Sequence, residues 1–317
     1  MFDKHLEGVL DVSGLSALYY MNCSANLLEG VVVSGCSSLM TFDCYENLIE
    51  ELDVSSCGAL QFFRCDDNLL TELDVSANTR LVQLTCGNNQ LFDLDVSANT
   101  ELEILDVSDN LLTDIDVSAL EYLDQLNVSD NDLFGGLDVS ANTRLQSLRI
   151  SRTGLEHIDL SHNPDLNGLY SLSNPITMFD LEANEILMLN TLKAEPGGTV
   201  GCEMSGWYTK VYAYPDDGFT FAGWYDAQGE LISQNPMYEA SELDGVVFIA
   251  RFEGGSALPG DADGNGSVTI ADAILALRYA MGLIDSGALD TEAADMDGTG
   301  EVTVADAVAI MRAAMYP

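Results

Sequence analysis

Apolar residues recur at a fixed interval along the first two thirds of the chain. A segment Leu-Asp-Val-Ser, or a variant of it, returns every 21 residues, with one interval of 22. Between these segments lies the pattern L-x-x-L-x-C-x-x-N-x-L, which is clearest over Leu81–Leu91. One such unit is too small to bury its own leucines, so successive units must stack. We therefore expect about eight coils between residues 6 and 190, whose strands form a parallel sheet with neighbours about 4.8 Å apart.

This pattern resembles the leucine-rich repeat. The form L-D-V-S-x-N-T-x-L-x-x-L-x-C-x-x-N-x-L is similar to the short, internalin-like repeats of bacterial proteins. The resemblance implies a leucine-rich repeat solenoid with short coils and a parallel β-sheet over residues 1–192. The chain as a whole is then a multidomain protein, because its periodicity changes after this region.

One polar position of the repeat is predicted to be structural. It holds asparagine in seven coils and Thr153 in another. A side-chain amide there can satisfy backbone groups in a turn that the strand does not reach. The asparagines are Asn26, Asn47, Asn68, Asn89, Asn110, Asn131 and Asn174.

The Leu-Asp-Val-Ser segments place aspartates one coil apart, so like charges stack along the solenoid. A favourable interaction must compensate for this repulsion between like charges. We expect hydrogen bonds from turn amides to supply it, rather than bound cations. The aspartates are Asp53, Asp74, Asp95, Asp116, Asp138, Asp159 and Asp180.

The seven cysteines are predicted to be mostly free thiols. Four of them recur every 21 residues at a position that later coils fill with valine or isoleucine, which indicates a buried apolar slot. Cys36 and Cys57 stand where other coils have Asn78 and Asn99, hence in turns. No zinc-ligand spacing is present. The four periodic cysteines are Cys23, Cys44, Cys65 and Cys86.

Aromatic residues cluster on the predicted strands of the first coils. Side chains that flank the inward leucines should face the concave surface, and aromatics there can stack on sugar rings or anchor a protein partner. A second interpretation stays open, in which these aromatics shield an exposed edge of the core. The candidate ligand face consists of Tyr20, Tyr45, Phe62 and Arg64.

Residues 193–254 show two-fold alternation, which predicts a small β domain. Strands are expected at Thr209–Tyr214, Phe219–Phe221 and Val246–Phe252. The stretch Gly218–Tyr225 resembles the internalin-type B-repeat, and we expect Trp224 to lie in its core rather than to form a carbohydrate platform. Residues 255–260 are predicted to form a linker.

Two acidic twelve-residue loops of matching design begin at Asp261 and Asp295. Oxygen ligands at loop positions 1, 3, 5, 7, 9 and 12 suit calcium, and glycine at position 6 permits the sharp bend. Position 7 contributes its carbonyl, and position 9 a hydroxyl or a bridging water. We expect two Ca²⁺ ions, with weaker binding in the second loop because a hydroxyl replaces the amide at position 5. The ligand residues are Asp261, Asp263, Asn265, Ser267, Thr269 and Asp272, then Asp295, Asp297, Thr299, Glu301, Thr303 and Asp306.

Each loop is followed by an alanine-rich segment, ADAILALRYAMG after the first and ADAVAIMRAAMY after the second. These segments predict helices over Ala271–Met281 and Ala305–Tyr316, and no helix precedes the first loop. The tandem loop-helix pattern over residues 261–317 resembles the type I dockerin, an all-α calcium-binding module of paired F-hand loops. The resemblance implies a cohesin module of a scaffoldin as partner.

In dockerins the cohesin-contacting residues lie at loop positions 10 and 11 and about two turns along the helix. The two matching sets imply two interchangeable faces related by a two-fold rotation. The usual hydroxyl pair and the lysine-arginine pair are absent, so no familiar cohesin specificity follows. Packing of Leu277 and Met311 between the helices is an open alternative for those two residues. The partner-face residues are Ile270, Ala271, Leu277 and Arg278, then Val304, Ala305, Met311 and Arg312.

Charge narrows the partners further. The 52 acidic and 11 basic residues give a net charge of -41, which disfavours nucleic acid and anionic membranes as partners. No apolar run is long enough to span a bilayer, and the first residues do not form a signal peptide. We expect a fragment of a secreted, extracellular or cell-surface protein whose signal lies upstream.

No residue pattern indicates catalysis. The three histidines adjoin no recognised nucleophile motif, and carboxylate pairs are uninformative in so acidic a chain. We expect a non-catalytic binding protein that enters a cellulosome-type assembly through its dockerin-like module, while the solenoid recognises a protein or a glycan. The alternatives are a cell-surface adhesin or structural protein, and a fragment of a larger dockerin-bearing enzyme.

Overall fold

The computed structural model describes residues 6–180, 189–205, 208–216, 218–240, 246–254, 259–264, 267–285 and 288–315. The chain divides into two compact units. Described residues of the first lie within Met1–Leu192, Val200–Tyr212 and Met237–Val247. Those of the second lie within Lys193–Thr199, Ala213–Pro236 and Phe248–Pro317.

The first unit contains the predicted solenoid. Successive coils contribute short strands to one sheet, in which the strands pair in parallel with the middle residue buried, as where Leu84 lies beside Leu105. The leucine-rich repeat architecture is thus confirmed. The strands of this region are β1 (Glu7–Asp11), β2 (Tyr20–Asn22), β3 (Leu27–Val32), β4 (Thr41–Asp43), β5 (Phe62–Arg64), β6 (Gln83–Thr85), β7 (Ile104–Asp106), β8 (Gln125–Asn127), β9 (Ser147–Arg149), β10 (Gly168–Ser171) and β11 (Met178–Asp180). Strands β1 and β3 pair with each other in a separate two-stranded sheet, and β11 is not part of the solenoid sheet.

The solenoid sheet continues into the segment that follows the repeats. Further along the chain come β12 (Leu189–Ala194), β13 (Gly198–Ser205), β14 (Tyr208–Pro215), β15 (Phe219–Tyr225), β16 (Leu231–Ser233), β17 (Met237–Ala240) and β18 (Val246–Gly254). Strand β13 runs antiparallel to β10, and β14 and β17 follow at that end of the sheet. No sequence feature of the repeats predicted this extension, because a reversal of strand direction leaves the two-fold alternation unchanged.

The second unit contains a small antiparallel sheet in which β15 pairs with β16 and with β18. Trp224 is fully buried and meets Phe221 and Phe248 edge to face, with ring centroids 5.5 Å and 5.9 Å apart. Its predicted place in a β core is confirmed. The three predicted strands are also present, although β15 extends four residues beyond Phe221.

Three helices occur in the described part of the chain: α1 (Ile270–Ala280), α2 (Thr291–Ala294) and α3 (Val304–Met315). Helices α1 and α3 match the prediction to within a residue at their starts, and Tyr316 lies outside the described residues. None of these helices combines the length and apolar character needed to cross a bilayer.

The asparagine ladder binds successive coils together, as the sequence predicted. The Asn89 amide nitrogen donates to the Cys86 carbonyl at 3.0 Å and to the Cys65 carbonyl of the preceding coil at 3.1 Å. Its oxygen accepts from the Leu70 amide at 3.0 Å. The ladder asparagines from Asn26 to Asn131 therefore satisfy backbone groups of two coils at once.

The aspartate ladder is also held as predicted, by turn amides. Seven aspartates from Asp11 to Asp159 accept a hydrogen bond from the serine amide two residues later, at 2.8–2.9 Å. Hydrogen bonds from the Ser97 hydroxyl and amide hold the pKa of Asp95 below its usual value. These hydrogen bonds thus favour the charged form of the carboxylates. The side chain of Asp180 lies outside the described residues.

All seven cysteines are buried free thiols. Burial raises the pKa of Cys44, Cys65 and Cys86 well above the usual thiol value, so these thiols are protonated at neutral pH. Cys57 also occupies the asparagine-like turn position predicted for it, with its sulfur 3.7 Å from the Val33 carbonyl. Asn78 donates from the same position to Val54 at 3.0 Å.

The ladder predicts a stability effect. We expect Asn89→Ala to lower the free energy of unfolding by about 3 kcal/mol, because the buried Leu70 amide loses its acceptor and the Cys65 and Cys86 carbonyls each lose one of two amide donors. Chemical denaturation followed by circular dichroism measures it. Gln90→Ala, which removes the exposed neighbouring amide, is the control and should change stability by less than about 0.5 kcal/mol. Equal effects of the two substitutions would contradict a structural role for the ladder.

Candidate functional site

Three aspartates converge in the first acidic loop. Asp261, Asp263 and Asp272 each offer a carboxylate oxygen, and these oxygens all lie within 4.8 Å of one another. Asp272 is completely buried, and its Oδ1 accepts from the Asp263 amide at 3.0 Å. Asn265 lies outside the described residues, and Ser267 is exposed in the second half of the loop.

The second loop repeats this arrangement with Asp295, Asp297 and Asp306. The backbone of the loop folds around the carboxylates: the Gly300 amide donates to Asp295 Oδ2 at 2.6 Å, and the Thr299 amide donates to Asp295 Oδ1 at 3.1 Å. Gly300 adopts φ +85°, a conformation that side chains disfavour. The sharp bend predicted at loop position 6 is therefore present here.

The last aspartate of each loop also starts the following helix. Asp272 Oδ2 accepts from the amide and the hydroxyl of Thr269, both at 2.8 Å, while that hydroxyl accepts from the Ala271 amide. Thr303 and Asp306 make the same bonds at the start of α3. This capping box couples loop geometry to helix formation.

Asp306 is held as a carboxylate. Burial opposes its ionisation, but hydrogen bonds from Thr303, Asp297 and Met296 outweigh that effect, so its pKa lies below the usual value. No ion pair among the described residues involves Asp295, Asp297 or Asp306. Three like charges thus share a small volume with only neutral donors around them, which favours a bound cation.

The donor set fits calcium. Oxygens on opposite sides of a Ca²⁺ ion lie about 4.8 Å apart, since each bond is about 2.4 Å long. The carboxylate oxygens of each cluster satisfy that limit. All donors are oxygens, and neither histidine nor cysteine takes part, so a hard cation is preferred over zinc.

A small apolar core joins the two loop-helix units. Ala262, Ala273, Ala276, Ala294, Ala307 and Ile310 are buried together. Val268 and Val302, which occupy the same position of the two loops, pack against this core. Because alanine side chains are short, the helices approach closely, and each loop is anchored on both sides of its carboxylates.

Most of the predicted partner-face residues are exposed, on both helices. Ile270 is 52% exposed and Val304 is 51% exposed. Ala271, Ala305, Arg278 and Arg312 are exposed as well. Met311 is 37% exposed, whereas Leu277 is half-buried and packs against the core, as the alternative interpretation held for that residue.

Two exposed apolar residues beside the predicted partner-face residues were not predicted from the sequence. Ile274 and Val308 are 50% and 45% exposed, one helical turn beyond Ile270 and Val304. The sequence does contain a signal for these two residues, because apolar residues four positions apart lie on the same side of a helix. We name the two matching surfaces the α1 face (Ile270, Ile274, Arg278) and the α3 face (Val304, Val308, Arg312).

The candidate ligand face of the solenoid also has a defined geometry. Tyr20 and Phe62 are 52% and 39% exposed, two strands apart on the sheet. The Arg64 guanidinium lies 4.6 Å from the centroid of the half-buried Tyr45 ring, which indicates a cation-π contact. All four residues of the candidate ligand face therefore lie on the first coils of the solenoid.

Comparison with known families identifies the C-terminal region. Residues 259–313 match the family model of the dockerin type I domain. Dockerin domains bind calcium and assemble with cohesins, in agreement with the two carboxylate clusters.

The solenoid is similar to internalins of known structure. The functional domain of InlJ from Listeria monocytogenes, described as including a cysteine ladder, is 39% identical with a TM-score of 0.55 and covers 57% of this chain and 40% of its own. An internalin, inlF, from the same species is 26% identical with a TM-score of 0.43 and covers 53% of this chain and 54% of its own. The chain thus spans less than two thirds of either neighbour. No curated protein gave a significant match.

The coupling of carboxylates to helix caps predicts how chelation acts. Removing calcium with EGTA should speed amide hydrogen exchange in residues 259–315, because repulsion among the aspartates then loosens each loop and the helix it starts. Exchange in the coils between residues 6 and 180 should be unchanged. Mass spectrometry of the full chain with and without EGTA measures both regions. Identical exchange in residues 259–315 under the two conditions would contradict the prediction.

Proposed function

We propose that this protein is a secreted, non-catalytic binding protein that joins a cellulosome-type assembly by calcium-dependent binding of its dockerin to a cohesin. Its solenoid recognises a second ligand, a protein or a glycan. The observation that carries the proposal is the pair of aspartate clusters, each built into the helix cap that shapes a candidate contact face.

Two calcium ions are proposed, one in each loop. Asp261, Asp263 and Asp272 hold the first, with Asn265 and the Ser267 carbonyl completing the site. Asp295, Asp297 and Asp306 hold the second, with Thr299 and the Glu301 carbonyl. The hydroxyls of Thr269 and Thr303 already bond the last aspartate of their loop, which supports contact through a bridging water rather than directly.

The α1 and α3 faces are the proposed cohesin contacts. They correspond residue by residue across an offset of 34 positions, as Arg278 does to Arg312. Both are apolar with one exposed arginine, so a two-fold rotation exchanges similar surfaces. A cohesin groove that accepts one face is therefore expected to accept the other.

Isothermal titration of the full chain with a panel of cohesins tests the proposal. In calcium, at least one cohesin should bind one to one, and EGTA should abolish binding. Asp261→Ala combined with Asp295→Ala should weaken binding by at least about a hundredfold, or about 2.7 kcal/mol. Asp285→Ala, an exposed acid between the two loops, is the control and should leave binding intact. Calcium uptake without binding to any cohesin would reject the assembly role.

The exchangeability of the two faces has its own test. Arg278→Glu alone and Arg312→Glu alone should each leave binding within about threefold of the unaltered chain, because the other face remains available. The double substitution should abolish binding. Arginine is preferred here to Leu277, since that side chain also packs against the core. Loss of binding with either single change would show that one face alone serves.

A further inference from the structure

The solenoid carries two exposed phenylalanines that the proposed function does not use. Phe92 is 63% exposed and Phe134 is 75% exposed. Each is the third residue after a ladder asparagine, so the two occupy the same position of the repeat in coils separated by one other coil. At a coil spacing of about 4.8 Å, their attachment points lie about 10 Å apart. Thr113 fills the position between them.

Packing does not account for these rings. The other copies of this position carry threonine or glutamate, including Glu50, Thr71 and Glu156. The preceding residues Leu91 and Leu133 are completely buried and already fill the core. An exposed phenyl ring forgoes the stabilisation that burial of such a side chain contributes. Threonine at both positions would therefore be compatible with folding.

At least one ring packs against the next coil. Phe134 lies against Gly154 of the next coil, where a Cβ would come within 3.0 Å of the ring. Gly154 adopts φ +74°, so the backbone itself favours glycine there. After Phe134 in the chain, Gly135 and Gly136 replace the single aspartate of the two preceding coils, which accounts for the one interval of 22 residues. The ring is thus supported from one side and open on the other.

Each ring borders an open cavity with polar walls. The cavity beside Phe134 has a volume of about 1030 Å³, and that beside Phe92 about 740 Å³. Carboxylates line both, among them Glu72 and Asp93 near Phe92 and Asp114 near Phe134. Such walls mostly accept hydrogen bonds and repel anions. A suitable ligand brings donors, carries no negative charge, and offers flat apolar faces about 10 Å apart.

We infer that Phe92 and Phe134 are two platforms of a binding site for a neutral, extended polysaccharide of β-1,4-linked pyranose rings. The C–H face of such a ring stacks on an aromatic ring, and its edge carries hydroxyl donors. Alternate rings of an extended β-1,4 chain repeat at a distance comparable to two coil spacings. The ring between them would lie over Thr113. This inference rests on the proposed ligand-binding role of the solenoid and places the glycan on a surface different from the candidate ligand face.

The experiment is native affinity electrophoresis of the full chain in gels containing hydroxyethyl cellulose, galactomannan or polygalacturonate, with EGTA throughout. A neutral β-1,4 polymer should retard the unaltered chain, and anionic polygalacturonate should not. Phe92→Ala and Phe134→Ala should each weaken binding by about threefold to tenfold, and together to background. Tyr122→Ala, which removes another exposed aromatic of the solenoid, is the control and should bind normally.

A spacing variant tests the geometry itself. Phe92→Thr combined with Thr113→Phe keeps the composition but places the two rings one coil apart. Binding should then fall to the level of Phe92→Ala. Full binding by this variant would overturn the proposed match between ring spacing and ligand.

Other outcomes also decide the inference. Absence of retardation by both neutral polymers, or normal binding by the double alanine variant, would overturn it. Loss with Tyr20→Ala but not with the phenylalanine variants would move the glycan to the candidate ligand face. Binding of polylysine that depends on both phenylalanines, without polysaccharide binding, would replace the glycan by a basic protein. Cohesin titration of the same variants in calcium should be unchanged, so failure of the glycan site and failure of the dockerin proposal are distinguishable.

Discussion

The solenoid depends on hydrogen bonds that one coil cannot make alone. A coil of 21 residues has a strand only three residues long, so most of its buried backbone groups lie in turns. The ladder asparagines bond those groups in their own coil and in the preceding one, as Asn89 does with Cys86 and Cys65. Every coil is therefore completed by its neighbour, and the regular outer positions are free to vary.

Electrostatics divides the many carboxylates into two kinds. Along the solenoid, the described ladder aspartates, such as Asp95, accept a hydrogen bond from a serine amide, which stabilises the charged carboxylates. In the C-terminal loops, three aspartates crowd together and also fix the first turn of a helix. The aspartates of the solenoid thus have a structural role, whereas the clustered aspartates of the two loops favour a bound cation. The high negative charge of the chain does not by itself reveal this difference.

Periodic features were predictable from sequence because each is repeated. The asparagine ladder, the buried thiols, and the helices α1 and α3 lie where the pattern indicated. The antiparallel strand β13 was not predictable, because pairing with β10 depends on long-range register that alternation does not encode. In the site, the three aspartates of each loop meet as expected. The sequence does not decide whether Leu277 packs against the core or faces the partner, because one helical position can border both. In the structure it is half-buried against the core.

In a repeated structure, departures from the repeat carry the most information about function. A residue that recurs in every copy is explained by stacking, whereas Phe92 and Phe134 break a polar position without gaining burial. The same logic applies in reverse to the dockerin, where either of the two nearly identical faces would be dispensable if they exchange as proposed. Repetition in the dockerin would then protect the proposed contact against loss, whereas repetition in the solenoid sets the spacing between Phe92 and Phe134. A residue that departs from the repeat pattern without a benefit to folding is therefore a candidate for ligand binding.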